Sequence, residues 1–390
     1  MKKYIFFGIL LFLLLIILGD NKDPAQDGAT TTQPPAPITP TKDSRSFLMG
    51  FSSWPPSFDI DEIKRSLELA HKESDVRLVH LDGGVPWEAM INKKPIPKHA
   101  KDSWDLISNY TKNSKIFVAI TPLNFGRDDI APSITDKGDN QENPDSLDGA
   151  RLNSQIVKDA YLAYAQQVME YWKPEYLAIG IEANTAINKN INTWEDYKEL
   201  HQFVYTALKN KYPNTLIFST VQVEHFKCLP EEGKGKEELQ RTELRTMLPY
   251  NDILALSTYP YAENDNEYTD TYLDEFNSYQ KSVAISETGW PSAQEKIFGL
   301  FPIKGSPEEQ SAYLDSLLRY ANEHQFIFVI NWVNVDFVKL HDAFPVGIIR
   351  EIAKLWIHTG LWDEYFNEKP ALGVWRVYLS LPVANPQLRS

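Results

Sequence analysis

Tyr176-Leu177-Ala178-Ile179-Gly180-Ile181 is an unbroken run without a polar side chain on any strand-facing position but the terminal tyrosine, and the next residue is Glu182. A strand with one wet face alternates polar and apolar side chains; a continuous run marks a strand covered on both faces, as in a parallel sheet. Seven further runs of this kind lie on either side of it: Phe47–Phe51, Val76–Leu81, Lys115–Thr121, Thr215–Val221, Ile253–Ser257, Ser282–Ser286 and Phe326–Trp332. Helical patterns separate them. Asp59–His71 opens on Asp59, Asp61 and Glu62, acids that suit the positive end of a helix. Ala150–Trp172 places Ile156, Ala160, Leu162, Ala163 and Val168 near one face. Trp194–Leu208 follows Thr193, the expected N-cap, and Pro307–Asn322 follows Ser306 with Glu309 completing a Ser-x-x-Glu box. Eight strands alternating with helices predict an α/β fold of the (β/α)8 TIM-barrel type. The alternative is an open doubly wound sheet. Against it, no Gly-x-Gly-x-x-Gly follows the first strand, and eight is a number of strands that closes.

The composition fits one large domain: 43% of the 390 residues are hydrophobic and 12% aromatic, enough to fill such a core. A formal net charge of −14 argues against nucleic acid as a partner, because that needs clustered Lys and Arg. The single Cys228 excludes an intramolecular disulfide framework, and no Cys/His spacing suggests zinc; no metal and no cofactor is expected. At the N-terminus, Lys2 and Lys3 precede the apolar run Tyr4–Leu18, which is short for a spanning helix and suits an export signal. Residues 1–19 are therefore read as a signal peptide or membrane anchor. Asp20 stands where a bacterial lipoprotein would carry its cysteine. Residues 20–45 are Thr- and Pro-rich and are read as a disordered linker. The single catalytic domain is expected over 46–384, placed outside the cytoplasm, secreted or held at the membrane by the N-terminus.

In a TIM barrel the C-terminal ends of the strands build the site. The fourth and seventh ends each carry a glutamate straight after an apolar run: Glu182 in Ile181-Glu182-Ala183-Asn184 and Glu287 in Ile285-Ser286-Glu287-Thr288. A buried acid is costly unless paired or used. Either glutamate alone would be explained by a barrel Arg or Lys; two together on the fourth and seventh strands fit a pair facing each other across a sugar. A carboxyl separation of about 5–5.5 Å permits retaining hydrolysis through a covalent intermediate. Glu182 is assigned as acid/base and Glu287 as nucleophile, each with its own protonation state. Trp54, Asp82, Trp87, Glu224, His225, Asn331 and Asn334 follow or flank other strand ends and are candidate sugar contacts. Asp82 and Glu224 are also carboxylates of the kind that bind calcium, but no dense acidic loop surrounds them. The polar stretch Asn124–Gly149 is an active-site wall or a mobile insertion.

The segment Ile285-Ser286-Glu287-Thr288-Gly289-Trp290-Pro291-Ser292 is similar to the nucleophile motif of plant-type endo-β-1,3-glucanases. It also resembles the matching strand of arabinogalactan endo-β-1,4-galactanases. Both belong to clan A, the large group of retaining (β/α)8 glycoside hydrolases. The resemblance implies that Arg77 bonds the nucleophile's carboxylate, that Tyr259 in Ser257-Thr258-Tyr259-Pro260-Tyr261 lies beside it, and that Trp332 floors the −1 subsite. The segment from Thr359 through Lys369-Pro370-Ala371 to Trp375 looks like the clan's closing segment. One position departs from the pattern. Ile181 stands where the clan has an asparagine that bonds the sugar 2-hydroxyl, and Asn184 and Gln222 are the candidate substitutes. The implied function is endo-acting retaining hydrolysis of β-glycosidic bonds in a polysaccharide or oligosaccharide. The competing readings are a carbohydrate-binding protein on a degenerate barrel and a glycan transglycosylase. An aldolase would want a Schiff-base lysine at a strand end, and none is convincing.

Overall fold

The computed structural model describes residues 42–112, 114–263 and 268–384; the segment read as an export signal, and the expected linker as far as residue 41, lie outside them. Eight parallel strands carry the fold. They are β1 (Leu48–Ser52), β2 (Val76–Leu81), β3 (Lys115–Ile120), β4 (Tyr176–Ala178), β5 (Leu216–Phe218 continuing as Thr220–Gln222), β6 (Leu254–Thr258), β7 (Val283–Thr288) and β8 (Phe328–Trp332). Each strand pairs with the next in sequence, and β8 pairs with β1. The first half of β5 pairs with β4 and the second half with β6, so the sheet closes on itself at Ser219. Every strand overlaps one of the apolar runs in the sequence.

Helices cover the outside: α1 (Ile60–Lys72), α2 (Lys98–Ser108), α3 (Gln155–Trp172), α4 (Ile191–Lys211), α5 (Glu237–Met247), α6 (Pro307–Glu323) and α7 (Pro370–Leu379). Asp59 caps α1 by accepting from the amides of Asp61 and Glu62, and Ser306 caps α6 by accepting from Glu309. The expected cap at Thr193 is corrected. Asn190 caps α4, and Thr193 lies inside the helix with its hydroxyl donating to Asp128 O at 2.7 Å. Two cap-competent side chains lie three residues apart, and tertiary contact with the 124–149 segment decides between them. The linker boundary shifts as well. Arg45, counted with the linker, is buried in an ion pair with Asp75 at 2.6 Å and bridges to Val383. Composition cannot see that its charge has a partner 30 residues on.

Strand parity sets what reaches the site. Val76, Leu78, Phe117, Ala178, Phe218, Ala255, Ala284, Phe328 and Ile330 fill the barrel interior. The residues between them face outward: Val79, Val118 and Leu177 pack on Tyr161, Ala165 and Leu200 of α3 and α4. Met49, Phe51, Leu256 and Val329 pack on Leu314 and Leu317 of α6 and Trp375 of α7. Gly180 sits in the central run because a Cβ there would lie 1.8 Å from the Tyr197 hydroxyl. At the base of the barrel the buried Trp375 indole donates to Glu73 O at 2.9 Å, locking α7 against the start of β2.

Candidate active site

Glu182 follows β4 with φ of +50°, a conformation that costs a non-glycine residue and persists where the surroundings fix it. Its amide donates to Thr220 Oγ1 at 2.7 Å, and its Oε1 accepts from Ser257 Oγ at 2.5 Å. Its Oε2 lies 3.9 Å from Arg127 Nη2. Glu287 lies within β7, opposite Ser257 of β6, next to a register shift after Ile285. Its Oε1 is 3.0 Å from His80 Nε2, and its Oε2 accepts from the Tyr259 hydroxyl at 3.2 Å. Ser257 therefore touches one carboxylate and faces the other across the ladder. Glu182 and Glu287 are 8% and 6% exposed and line one cavity at the C-terminal mouth of the barrel.

The two carboxylates experience different surroundings. Burial first, and then the charge of Glu287, push the Glu182 carboxyl up to about 7; Arg127 and the Ser257 hydrogen bond pull the other way without prevailing. For His80, burial disfavours the imidazolium, but the charge and hydrogen bond of Glu287 outweigh it and the net shift is upward. Arg127 is fixed by a two-point ion pair with Asp82 at 2.8 and 3.1 Å. The floor is aromatic. Trp54 and Trp332 lie 5.6 Å apart between ring centroids, His80 meets Trp332 edge-on at 5.0 Å, and Tyr259 meets Trp356 edge-on at 5.8 Å. Flat apolar ring faces beside hydrogen-bonding groups suit a sugar, whose C–H faces stack and whose hydroxyls bond.

The cavity brings together Glu182, Glu287, Trp54, Gln222, Tyr259 and Trp332, all named from the sequence. It does not bring in Arg77 or Asn184. Arg77 points outward from β2, with Nη1 on Leu67 O at 3.0 Å and Nη2 on Ser53 Oγ at 2.6 Å. Parity is the reason: Leu78 points inward, so residue 77 cannot, and His80, two residues beyond Leu78, takes the place at Glu287. Asn184 is consumed in the backbone of the next strand, accepting from Gln222 N at 2.8 Å and donating to Gln222 O at 3.0 Å. The Gln222 amide is also committed, to Glu224 Oε2 at 2.7 Å and the His225 amide at 2.5 Å. Asn184 is therefore turned to β5 and away from the cavity, Gln222 lines the cavity with its Oε1 and one N–H engaged, and Ile181 presents an apolar wall beside Glu182.

Other strand-end candidates divide the same way. Asp82 and His225 line the cavity. Glu224 is wholly buried behind it, accepting from Thr258 Oγ1, the Tyr272 hydroxyl and the Tyr259 amide. Trp87 donates to Ala131 O, Asn331 to Val333 O and Thr359 O, and Asn334 to Ser66 O, all in the packed shell. The 124–149 segment forms a small hairpin, Ser133–Thr135 with Gly138–Gln141, and contributes Phe125 and Arg127 to the cavity, which makes it a wall. Sequence reasoning missed His80, Ser257 and Arg127. Inward parity on β2 and β6 carries a signal for the first two. Arg127 arrives from a long loop and has no such signal. Among the described residues, no cluster of three or more His, Cys, Asp or Glu is arranged to hold a metal.

No protein-family model and no curated protein sequence matches the chain. Solved structures do. The exo-β-1,4-mannosidase Op5Man5 from Opitutaceae bacterium strain TAV5 is similar at a TM-score of 0.59 and 15% identity, over 86% of this chain and 59% of that one. A family 39 glycoside hydrolase from Bacteroides cellulosilyticus WH2 is similar at 0.55 and 15%, over 87% of this chain and 64% of that one. Xylanase 10B from Thermotoga petrophila RKU-1, solved with xylobiose, is similar at 0.51 and 11%, over 86% and 94%. The chain thus spans less than two thirds of the length of the first two. At these identities the likeness establishes the (β/α)8 barrel fold that these glycoside hydrolases share.

Proposed function

We propose that this barrel is a retaining O-glycosyl hydrolase of β-linked glycans, with Glu182 as acid/base and Glu287 as nucleophile. The observation that carries the reading is one cavity holding two carboxylates in opposed environments. Glu182 is pushed up to about 7 and so is available as a proton donor near neutral pH. Glu287 is oriented by His80 and Tyr259. The neighbouring barrels support the same class of chemistry, since a mannosidase, a family 39 glycoside hydrolase and a xylanase share the fold.

In the first step Glu287 attacks the anomeric carbon while Glu182 gives its proton to the departing glycosidic oxygen. The C–O bond to the leaving sugar breaks as the ester to Glu287 forms. That ester removes the negative charge of Glu287, the second-largest cause of the Glu182 shift. Glu182, now ionised, becomes more acidic and suits its second role. It takes a proton from water as the water oxygen attacks the anomeric carbon and Glu287 leaves as carboxylate. Arg127 lies near Glu182 Oε2 and steadies its ionised form. Trp332 and Trp54 offer ring faces to the sugar at the cleavage point. Ile181 gives no hydrogen bond there, so the 2-hydroxyl contact of the clan is not made from this position.

The substrate is proposed to be a polysaccharide cut internally. Export through residues 1–19, with secretion or retention at the membrane, belongs to the same proposal. The test is incubation of the pure protein with β-glucan, galactan, mannan and xylan, reading new reducing ends and product lengths. Release of oligosaccharides from one glycan is expected, and its loss in Glu287→Ala. A second reading rests on Ile181: a carbohydrate-binding protein that has lost turnover. Tight binding to one glycan with no new reducing ends from any would establish it. Product chains longer than a defined starting oligosaccharide would point to transglycosylation.

A further inference from the structure

Arg77 is a buried charge that the active cavity does not use. Its side chain is 1% exposed, its two terminal nitrogens meet only a backbone carbonyl and a serine hydroxyl, and Nε has no hydrogen-bond partner. Other buried arginines are neutralised: Arg45 by Asp75 and Arg127 by Asp82. Among the described residues Arg77 has no ion pair. A buried unpaired charge is unfavourable, and a guanidinium edge with a free N–H is shaped to take a carboxylate. Burial lowers its pKa to about 9, which still leaves it charged at neutral pH.

Arg77 lines a cavity of about 130 Å³ between β1, β2, α1 and α2. The other walls are mostly apolar, with Ile63, Leu67, Val79, Trp104 and Ile107 among them. The carboxylate on the wall, Asp139, is paired with His99 at 3.4 Å. An apolar cavity of about 150 Å³ can hold a benzene ring. We propose that this cavity binds a small organic monocarboxylate, its carboxylate on Arg77 and its apolar body, about one six-membered ring or a short acyl chain, among the aliphatic and indole side chains. The site adjoins the acidic cavity, since Trp54 and His80 line both. It does not rest on the glycosidase reading, because neither glutamate takes part.

The experiment is calorimetric titration of the whole protein with benzoate at pH 7, with benzamide as the neutral control of the same shape. One benzoate per chain is expected, with benzamide at least about tenfold weaker. Ala100→Leu narrows the cavity without touching Arg77 and should abolish binding; Arg77→Met should do the same. Trp356→Ala changes a wall of the neighbouring cavity alone and should leave binding intact. If Arg77→Met does not fold, the benzamide comparison and Ala100→Leu still decide. Equal affinity for benzoate and benzamide, unchanged binding in Ala100→Leu, or no binding at about 10 mM each overturns the proposal. Loss of binding in Trp356→Ala alone would place the ligand in the other cavity and overturn it too.

Discussion

Replacing Glu182 with Gln should stabilise the protein at alkaline pH and leave it nearly unchanged in acid. The Glu182 carboxyl is raised from 4.5 to about 7 in the folded chain, by burial and then by Glu287. A carboxyl raised on folding contributes stability in its protonated form. That contribution is fully present below the unfolded pKa and is lost as the pH rises through the folded one. The loss therefore runs from about pH 4.5 to about pH 7. A shift of roughly 2.5 units at 1.36 kcal/mol per unit corresponds to about 3 kcal/mol. The group is 8% exposed, so solvent screening takes little from this figure. Gln keeps the size and the contact with Ser257 but cannot ionise. With about 2.1 cal/mol/K of unfolding entropy per residue over roughly 340 residues, about 3 kcal/mol is roughly 4 °C in Tm. The assay is thermal unfolding of wild type and Glu182→Gln at pH 4 and pH 8, taking the difference of the two Tm differences, which cancels the titration of the remaining groups. A gain of roughly 4 °C confined to pH 8 is expected. An equal effect at both pH values, or a variant less stable at pH 8, would refute the argument that Glu182 is held protonated by its surroundings.

Three further outcomes follow from the site. His80→Ala removes the 3.0 Å contact to Glu287; a hydrogen bond to a charged group contributes about 1.5–3 kcal/mol, so kcat/KM on an aryl β-glycoside should fall about 10- to 100-fold with the circular-dichroism spectrum unchanged. Ser257→Ala removes a donor that favours ionised Glu182; the alkaline limb of the kcat/KM profile should move up from about 7 by about 1–2 units, and a limb that stays or moves down contradicts the assignment. Asn184→Ala breaks its two bonds to the Gln222 backbone; Tm should fall by roughly 3 °C while kcat/KM of the folded protein holds, whereas lost activity at unchanged Tm would return Asn184 to the substrate.

The barrel was legible in the sequence because strands buried on both faces leave short, mostly apolar runs, and all eight runs contain strands. Both glutamates were legible for a related reason: a charge ending such a run has nowhere to go but the mouth. What failed was direction. Arg77 and His80 lie on the same strand three residues apart, and only the inward packing of Leu78 tells which one faces Glu287. The cap of α4 and the burial of Arg45 turn on partners far along the chain, Asp128 and Asp75. Arg127 had no local signal at all, since its place depends on how a long polar segment folds back over β2 onto Asp82. Asn184 and Gln222 carry the polarity of substrate donors, yet Asn184 joins the β4 end to the backbone of β5 and the Gln222 amide bonds Glu224 and His225 beyond its own strand.

The proposed division of labour between the glutamates is tested most directly by adding azide to two variants acting on an activated aryl β-glycoside and reading the anomer of the glycosyl azide by NMR. In Glu287→Ala, azide enters from the face the carboxylate has vacated and should give the α-azide; in Glu182→Ala, it attacks the glycosyl-enzyme in place of water and should give the β-azide. The same anomer from both variants, or no azide product from either, would contradict it.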